Sequence, residues 1–276
     1  MIGGGAIAER RLIINADDLG LSHGVNRGIV EAHAAGAVTS ASLLANGPAL
    51  SDAMLRLRDA RTLQVGLHLN LTLGRPVAQR EDVASLCDPD TRAFYPLARL
   101  VTRALTGRIH PKHVAAECRA QLTLLHKLSV RVRHIDSHRH VHLLPGVWKT
   151  VVAVAQDAGI RAVRVPREPL RPTGLRLSRA LVAASLRAFC GDRALMRADH
   201  FLGLGLLGAH DFQRQLLALL DQLEPGTTEL MVHPGYVDPD LTRRDAYTTG
   251  RERELAALCS REVRDRLARG DIQLVA

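Results

Sequence analysis

The chain has 276 residues, of which 46% are hydrophobic, and carries a formal net charge of +9. This length and composition provide one large core and fall in the range in which an α/β barrel forms a single domain, so we expect one domain over residues 1–276. Only 3% of the residues are aromatic and the arginines recur at helix-like spacing. We therefore interpret the charge as solvated helix faces, which argues against a specific nucleic-acid site but favours weak association with anionic surfaces.

Residues 1–10 are small and flexible in character and lack the apolar core and cleavage site of a secretory signal. No later stretch reaches the roughly 18 uncharged apolar residues of a membrane-spanning helix. We expect a soluble, cytoplasmic protein. The four cysteines are scattered without CxxC spacing, which indicates reduced thiols rather than a disulfide framework.

The first 70 residues alternate between strand and helix patterns. Apolar runs predict strands at 11–15, 40–44 and 63–71, and helical spacing predicts helices at 24–35 and 50–58. Three βα units fit this stretch. Residues 74–111 are less regular and carry prolines and mixed charge, so we interpret them as a capping insertion over a site.

The alternation resumes after residue 111. Helices are predicted at 114–128, 147–158, 175–190, 212–223 and 251–268, and strands at 132–137, 161–165, 228–234 and 272–275. Strands that alternate with helices favour a parallel sheet, and seven or eight such units favour a closed or nearly closed barrel. A Rossmann-like open sheet is the alternative, but no GxGxxG follows the first strand.

Functional groups of parallel α/β folds collect at the carboxyl ends of the strands. Asn15, Asp17 and Asp18 follow the first strand. Two adjacent carboxylates there are costly unless a positive group binds them, so one of them could face a metal while the other faces a substrate water. The alternative is an aspartate that caps the next helix.

Single histidines mark two other strand ends. His68 interrupts the apolar third strand, and His233 ends an apolar strand just before a Pro-Gly turn. Each is also explained without a functional role, His68 as a hydrogen-bonded histidine and His233 as a residue at an ordinary turn. Their significance depends on what else lies beside them.

The segment 134–142 is the densest polar cluster of the sequence. Five groups alternate along it: His134, Asp136, His138, His140 and His142. Neutral imidazole is the commonest metal ligand in proteins and carboxylates complement it, so this segment indicates a metal or catalytic site.

Several motifs of the chain resemble those of one known family. In chain order they are NADDLGLSHGVNRGI, GLHLNLT, HIDSHRHVHLLP, RVPRE and VHPGY. Together they are similar to the YdjC-like family, which includes chitooligosaccharide deacetylases and hopanoid-associated deacetylases. Because the motifs come in family order and extend from Asn15 to Tyr236, the resemblance covers most of the chain.

The resemblance implies a distorted (β/α) barrel, TIM-barrel-like and related to polysaccharide deacetylases. It implies one divalent metal ion held by Asp18, His68 and His138, with Asp17 as catalytic base and His233 as the counterpart of the acid. The family is usually described with Mg²⁺, while this ligand set also accepts Zn²⁺ or another transition metal. The implied substrate is a small N-acetylated amino sugar or sugar conjugate, which is hydrolysed to release acetate, and homodimers are common in the family.

Other polar residues support the site in this interpretation. Arg164 either orients a substrate group with its planar fork or pairs with Glu168 or Asp136. Asn15, Asp136, His134, His140 and His142 are interpreted as residues that contact substrate or orient the ligands.

Three other functions are compatible with parts of the sequence. An iron oxygenase with a two-histidine, one-carboxylate triad is opposed by the alternating βα pattern. A metal-dependent phosphoesterase on the same scaffold and a non-enzymatic, arginine-rich anion-binding protein are the remaining alternatives.

Overall fold

The computed structural model describes residues 9–166, 168 and 198–276. Within these residues a single sheet contains eight strands, and every strand pair in it is parallel. The strands are β1 (Arg10–Leu19), β2 (Ser40–Leu43), β3 (Gln64–Leu69), β4 (Val132–Ser137), β5 (Ala162–Val163), β6 (His200–Leu202), β7 (Gly226–Val232) and β8 (Gln273–Leu274).

Helices connect the strands. In the described ranges they are α1 (His23–Ala34), α2 (Leu50–Leu57), α3 (Leu97–Leu105), α4 (Pro111–Lys127), α5 (Trp148–Asp157), α6 (Phe212–Asp221), α7 (Pro239–Arg244), α8 (Thr249–Leu258) and α9 (Arg261–Leu267). Short 3₁₀ helices cover Arg80–Val83 and His138–Leu143. Ser22 and Asp238 cap the first turns of α1 and α7 with side-chain oxygens, as these residue types do at helix starts.

The strand order is β5-β4-β3-β2-β1-β7-β6. The eighth strand of a regular (β/α)₈ barrel lies between the seventh and the first. Here β7 pairs directly with β1, and β8 pairs with Arg11 and Leu12, which also pair with β7, so β8 lies on the opposite side of β1. The predicted distorted (β/α) barrel is therefore confirmed as a curled parallel sheet covered by helices.

The central strands are buried on both faces, as parallel strands covered by helices must be. Leu12, Ile14 and Ala16 of β1 are fully buried, and all four residues of β2 are buried. This burial explains why β1 and β2 have apolar or small residues at most of their inner positions. It also makes the polar residues at their carboxyl ends exceptional.

Two predicted elements differ in the structure. β1 continues to Leu19, so Asp17 and Asp18 belong to the strand instead of following it. The single helix predicted over 251–268 is wrong, because the chain breaks after α8 and Ser260 caps α9 by accepting from the Val263 N–H. The sequence did not predict β6 or α7. The helix predicted at 175–190 lies outside the described residues, as do residues 1–8 and Cys190.

The segment 74–111 leaves the sheet after the carboxyl end of β3. Val83, Leu86 and Phe94 belong to the same hydrophobic cluster as the sheet, so the segment packs on the main core. Buried Glu117 of α4 accepts hydrogen bonds from the backbone N–H groups of Val77 and Ala78 and fixes the start of the segment. These contacts hold the segment beside the strand end that carries His68.

Described cysteines Cys87, Cys118 and Cys259 are free thiols. Across the described ranges, the helices include none with the length and apolar character that crossing a membrane requires.

Candidate functional site

Asp18 lies at the centre of a buried polar cluster at the carboxyl ends of β1, β3 and β4. Its Oδ1 lies 2.8 Å from His138 Nδ1 and 3.2 Å from His68 Nε2. Its Oδ2 accepts a 2.6 Å hydrogen bond from Arg251. Burial favours the neutral acid, but His138 and Arg251 outweigh it and hold the pKa of Asp18 well below its ordinary value. Asp18 therefore presents an ionised carboxylate.

His68 is oriented by Asp136 from the neighbouring strand. The register of β3 and β4 pairs these two residues, and His68 Nδ1 donates to Asp136 Oδ1 at 2.7 Å. Burial alone would lower the pKa of His68, but the carboxylates of Asp136 and Asp18 raise it to about 10. The contact directs the other ring nitrogen, Nε2, towards Asp18. A carboxylate behind a histidine in this way is the usual support of a metal ligand.

The three side chains fit a divalent cation. One ligand atom from each of Asp18, His68 and His138 lies within 4.8 Å of the others, and all three residues are buried. His138 turns Nδ1 towards Asp18 Oδ1, and its other ring nitrogen, Nε2, is buried without a hydrogen-bond partner among the described residues. A carboxylate oxygen with two imidazole nitrogens is a ligand set that suits zinc and related metals and leaves positions open.

A second acidic group overlaps with this one but fits a cation less well. Asp17, His68 and Asp136 also have ligand atoms within 4.8 Å of one another. Arg164 already occupies both oxygens of Asp17 and Oδ2 of Asp136, and His68 occupies Asp136 Oδ1. Because the permanently charged Arg164 holds three of these four carboxylate oxygens, Asp18, His68 and His138 are the better candidate for a cation.

Asp17 forms a bidentate ion pair with Arg164. Arg164 Nη1 and Nη2 donate to the two carboxylate oxygens at 2.6 and 2.8 Å. Arg164 also contacts Asp136 and Glu229. The predicted ion pair of Arg164 with Asp136 is present, and Asp17, which the sequence did not indicate as a partner, holds two of its nitrogens. Burial favours protonated Asp17, but Arg164 lowers the pKa of Asp17 below its ordinary value.

Ser42 of β2 connects the polar residues on neighbouring strands. Its hydroxyl donates to Asp136 Oδ2 at 2.7 Å, accepts from Asn15 Nδ2 at 2.8 Å and lies 3.1 Å from His134 Nε2. Asn15 also donates to Asp17 Oδ1 at 2.8 Å. Asn15 thus contacts the Asp17 carboxylate directly, and His134 is connected to the Asp136 carboxylate through Ser42.

His142 connects the 3₁₀ helix that follows β4 with Arg164, the residue that follows β5. Its Nε2 lies 2.9 Å from the Arg164 carbonyl oxygen, which can only accept, so Nε2 carries the proton and Nδ1 accepts from Ser137 Oγ at 2.5 Å. Burial lowers the pKa of His142 to about 4 and that of His140 to about 3. His140 has left-handed backbone (φ 55°), and within the described chain its Nδ1 is buried without a partner. Both rings are neutral near pH 7.

His233 follows the last residue of β7. The register pairs Val232 with Ala16, so His233 comes next to the Asp17–Asp18 end of β1. Its backbone N–H donates to Glu254 Oε2 at 2.5 Å, and its ring meets Tyr247 edge-on with centroids 5.8 Å apart. His233 is partly exposed, unlike His68 and His138.

Sequence reasoning missed four residues of the site. Ser42, Glu229, Arg251 and Glu254 all contact predicted site residues. Ser42 and Glu229 lie in strands beside predicted site residues, and strand position is the signal that could have indicated them. Arg251 and Glu254 lie in a charged helical sequence that is typical of a solvated face, and that pattern concealed their burial.

Parallel strands with a buried Asp–His cluster at their carboxyl ends define an α/β protein with a candidate metal-dependent active site. The chain belongs to the YdjC-like protein family, whose model matches residues 11–269.

Three relatives of known name illustrate the similarity. A carbohydrate deacetylase of Brevibacillus brevis is 34% identical, over 96% of this chain and 97% of its own length. A human carbohydrate deacetylase is 35% identical, over 96% of this chain and 90% of its own. Among solved structures, an Enterococcus faecalis protein named for cellobiose-phosphate cleavage has 28% identity and a TM-score of 0.77, covering 97% of both chains.

Proposed function

We propose that this protein is a metal-dependent carbohydrate deacetylase that hydrolyses the N-acetyl group of an amino sugar or sugar conjugate and releases acetate. One observation carries the proposal. Asp18 of β1, His68 of β3 and His138, which directly follows β4, come together in one buried cluster beside the ion-paired carboxylate of Asp17. Relatives named carbohydrate deacetylases share a third of their residues with the chain over nearly its whole length.

An amide is a poor electrophile, so its hydrolysis needs an activated water, a polarised carbonyl and a proton for the leaving nitrogen. A divalent cation held by Asp18, His68 and His138 would supply Lewis-acid activation of the water and of the carbonyl. The group that accepts the proton of the water and the group that protonates the leaving nitrogen would be side chains of the protein.

Asp17 is the proposed general base. The lowered pKa of Asp17 keeps its carboxylate ionised near neutral pH, which is the form that a general base must have. Arg164 fixes the plane of this carboxylate through two hydrogen bonds, and Asn15 adds a third to Oδ1. The base is thus held in one orientation before substrate binds, which is what proton transfer in a positioned site requires.

His233 is the proposed acid that protonates the departing amine. It lies at the end of β7, next to β1, and its ring is partly exposed where a sugar would approach. Its backbone is anchored by Glu254 and its ring packs against Tyr247. Base and acid therefore come from adjacent strands.

Acetate release from N-acetylglucosamine oligosaccharides and conjugates tests the proposal. We expect release that stops on chelation and returns with added divalent metal. Asp17→Asn should lower kcat by on the order of 10²–10⁴-fold, because the amide keeps the shape but cannot accept the proton. The exposed Asp59→Asn is the matched control.

Two results would contradict the proposal. Full activity of Asp17→Asn would remove the assigned base. Release of phosphate from simple esters, with no acetate released from any acetylated sugar, would favour the phosphoesterase.

A further inference from the structure

Helix α8 brings one charged side chain into direct contact with Asp18, one of the candidate metal ligands. The side chain of Arg251 is 1% exposed, and its Nη2 donates both to Asp18 Oδ2 at 2.6 Å and to Asp245 Oδ2 at 2.7 Å. Its Nε donates to the Tyr247 carbonyl at 2.9 Å. The guanidinium is therefore held from two other directions while it contacts Asp18.

This contact gives the two carboxylate oxygens of Asp18 different partners. Oδ2 is occupied by Arg251, and Oδ1 faces His68 and His138. A carboxylate that is hydrogen-bonded through one oxygen cannot rotate to offer both oxygens to a cation without breaking that bond. The backbone of Asp18 is left-handed (φ 72°), a conformation that persists in non-glycine residues only where surrounding contacts hold it.

Stability alone does not account for an arginine at this place. A buried ion pair often contributes little net stability, because removing both charges from water costs about as much as their attraction returns. Arg251 Nη1, moreover, is buried without a hydrogen-bond partner in the part of the chain that is described.

The chain contains a second buried arginine that serves as a comparison. Arg266 of α9 is 3% exposed and pairs with Asp221 and Asp271. These aspartates precede β7 and β8, so they lie at the amino ends of the strands, opposite the site. Arg266 is therefore buried and ion-paired like Arg251, but it does not lie at the candidate metal site.

We propose that Arg251 is a positioning residue of the metal site, which restricts Asp18 to one oxygen and holds that oxygen towards His68 and His138. The inference rests on the proposed function, because it assigns a cation to this cluster. It predicts that Arg251 determines how tightly the protein binds a divalent metal, independently of any turnover.

The test measures the dissociation constants of Zn²⁺ and Co²⁺ for the metal-free full chain by competition with a chelating dye. Arg251→Met should weaken binding by about 10–100-fold, the usual effect of removing a partner that orients a ligand. Arg251→Lys keeps the charge but loses the fork, and its loss should lie at the lower end of that range. Arg266→Met is expected to lower the melting temperature and leave the dissociation constants unchanged.

The outcomes separate this inference from the proposed function. Wild-type or tighter affinity in Arg251→Met would mean that the positive charge only opposes the cation, and would overturn the positioning role. If Arg251→Met does not fold, Arg251→Lys decides, and wild-type affinity in it overturns the role as well. Absence of metal binding by the wild-type chain would overturn both the inference and the metal dependence.

Discussion

His142 makes a quantitative prediction about acid stability. Folded His142 has a pKa of about 4, because burial disfavours the imidazolium by more than the hydrogen bond to the Arg164 carbonyl favours it. The ordinary histidine pKa is 6.5. The unfolded chain therefore binds a proton in the interval between the two values while the folded chain does not.

These two pKa values determine the direction and the magnitude of the change in stability with pH. The contribution of His142 is fully present above pH 6.5 and is lost as the pH falls towards 4. One pKa unit corresponds to about 1.4 kcal/mol, so the free energy of unfolding should fall by about 2 kcal/mol at pH 5 and about 3 kcal/mol at pH 4 from this residue alone.

The assay is urea unfolding of the wild-type chain and of His142→Gln at pH 7, 5 and 4. The variant should lose stability at pH 7, because a glutamine amide does not place a donor and an acceptor where the buried ring has Nε2 and Nδ1. Its stability should depend less on pH by the amounts above. His126→Gln, at an exposed helical position, is the control. Parallel pH profiles of the wild type and His142→Gln would refute the assignment of a neutral buried ring.

Two further predictions concern residues that shape the site. Burial raises the pKa of Glu117 above its ordinary value, so the folded state binds its proton more tightly and stability falls as the pH rises through that interval. Glu117→Gln should remove this part of the pH dependence, and unchanged profiles in urea unfolding at pH 4 and 7 would contradict it. A Cβ on Gly28 would lie 2.6 Å from Gly235 Cα, which is backbone of the turn after His233. Gly28→Ala should therefore lower stability by about 1–3 kcal/mol, and an unaltered melting temperature would show that the turn can yield.

Periodicity was sufficient to predict most of the fold. Apolar runs in β1, β2 and β3 and helical spacing in α1 and α2 are local signals, and the structure has these elements at the predicted places, with β1 continuing to Leu19. The parallel direction of the strands follows from the alternation of strands and helices along the chain, because parallel neighbours need helical crossovers. The break between α8 and α9 was not predicted, since charged helical spacing continues across Ser260 and only a local capping bond ends the pattern.

Strand ends also indicated most of the site. Asp18, His68 and His138 lie at or just after the predicted strands, and the carboxyl ends of parallel strands meet at one edge of the sheet, so their proximity could be predicted before any coordinates. The tertiary structure decided which atoms face each other. It paired Asp17 with Arg164 and left Asp18 Oδ1 towards the two imidazoles.

The sequence by itself determined the order of strands and helices and the polar groups placed at the strand ends, because hydrophobic period and strand polarity are properties of short segments. Only the tertiary structure decided that Arg251, 233 residues from Asp18, is buried against it. A charged residue in a helix has the same local pattern whether it faces solvent or a carboxylate. Whether Arg251 faces solvent or a carboxylate depends on where α8 lies relative to the end of β1. That placement depends on contacts between residues far apart in the sequence, which no short segment contains.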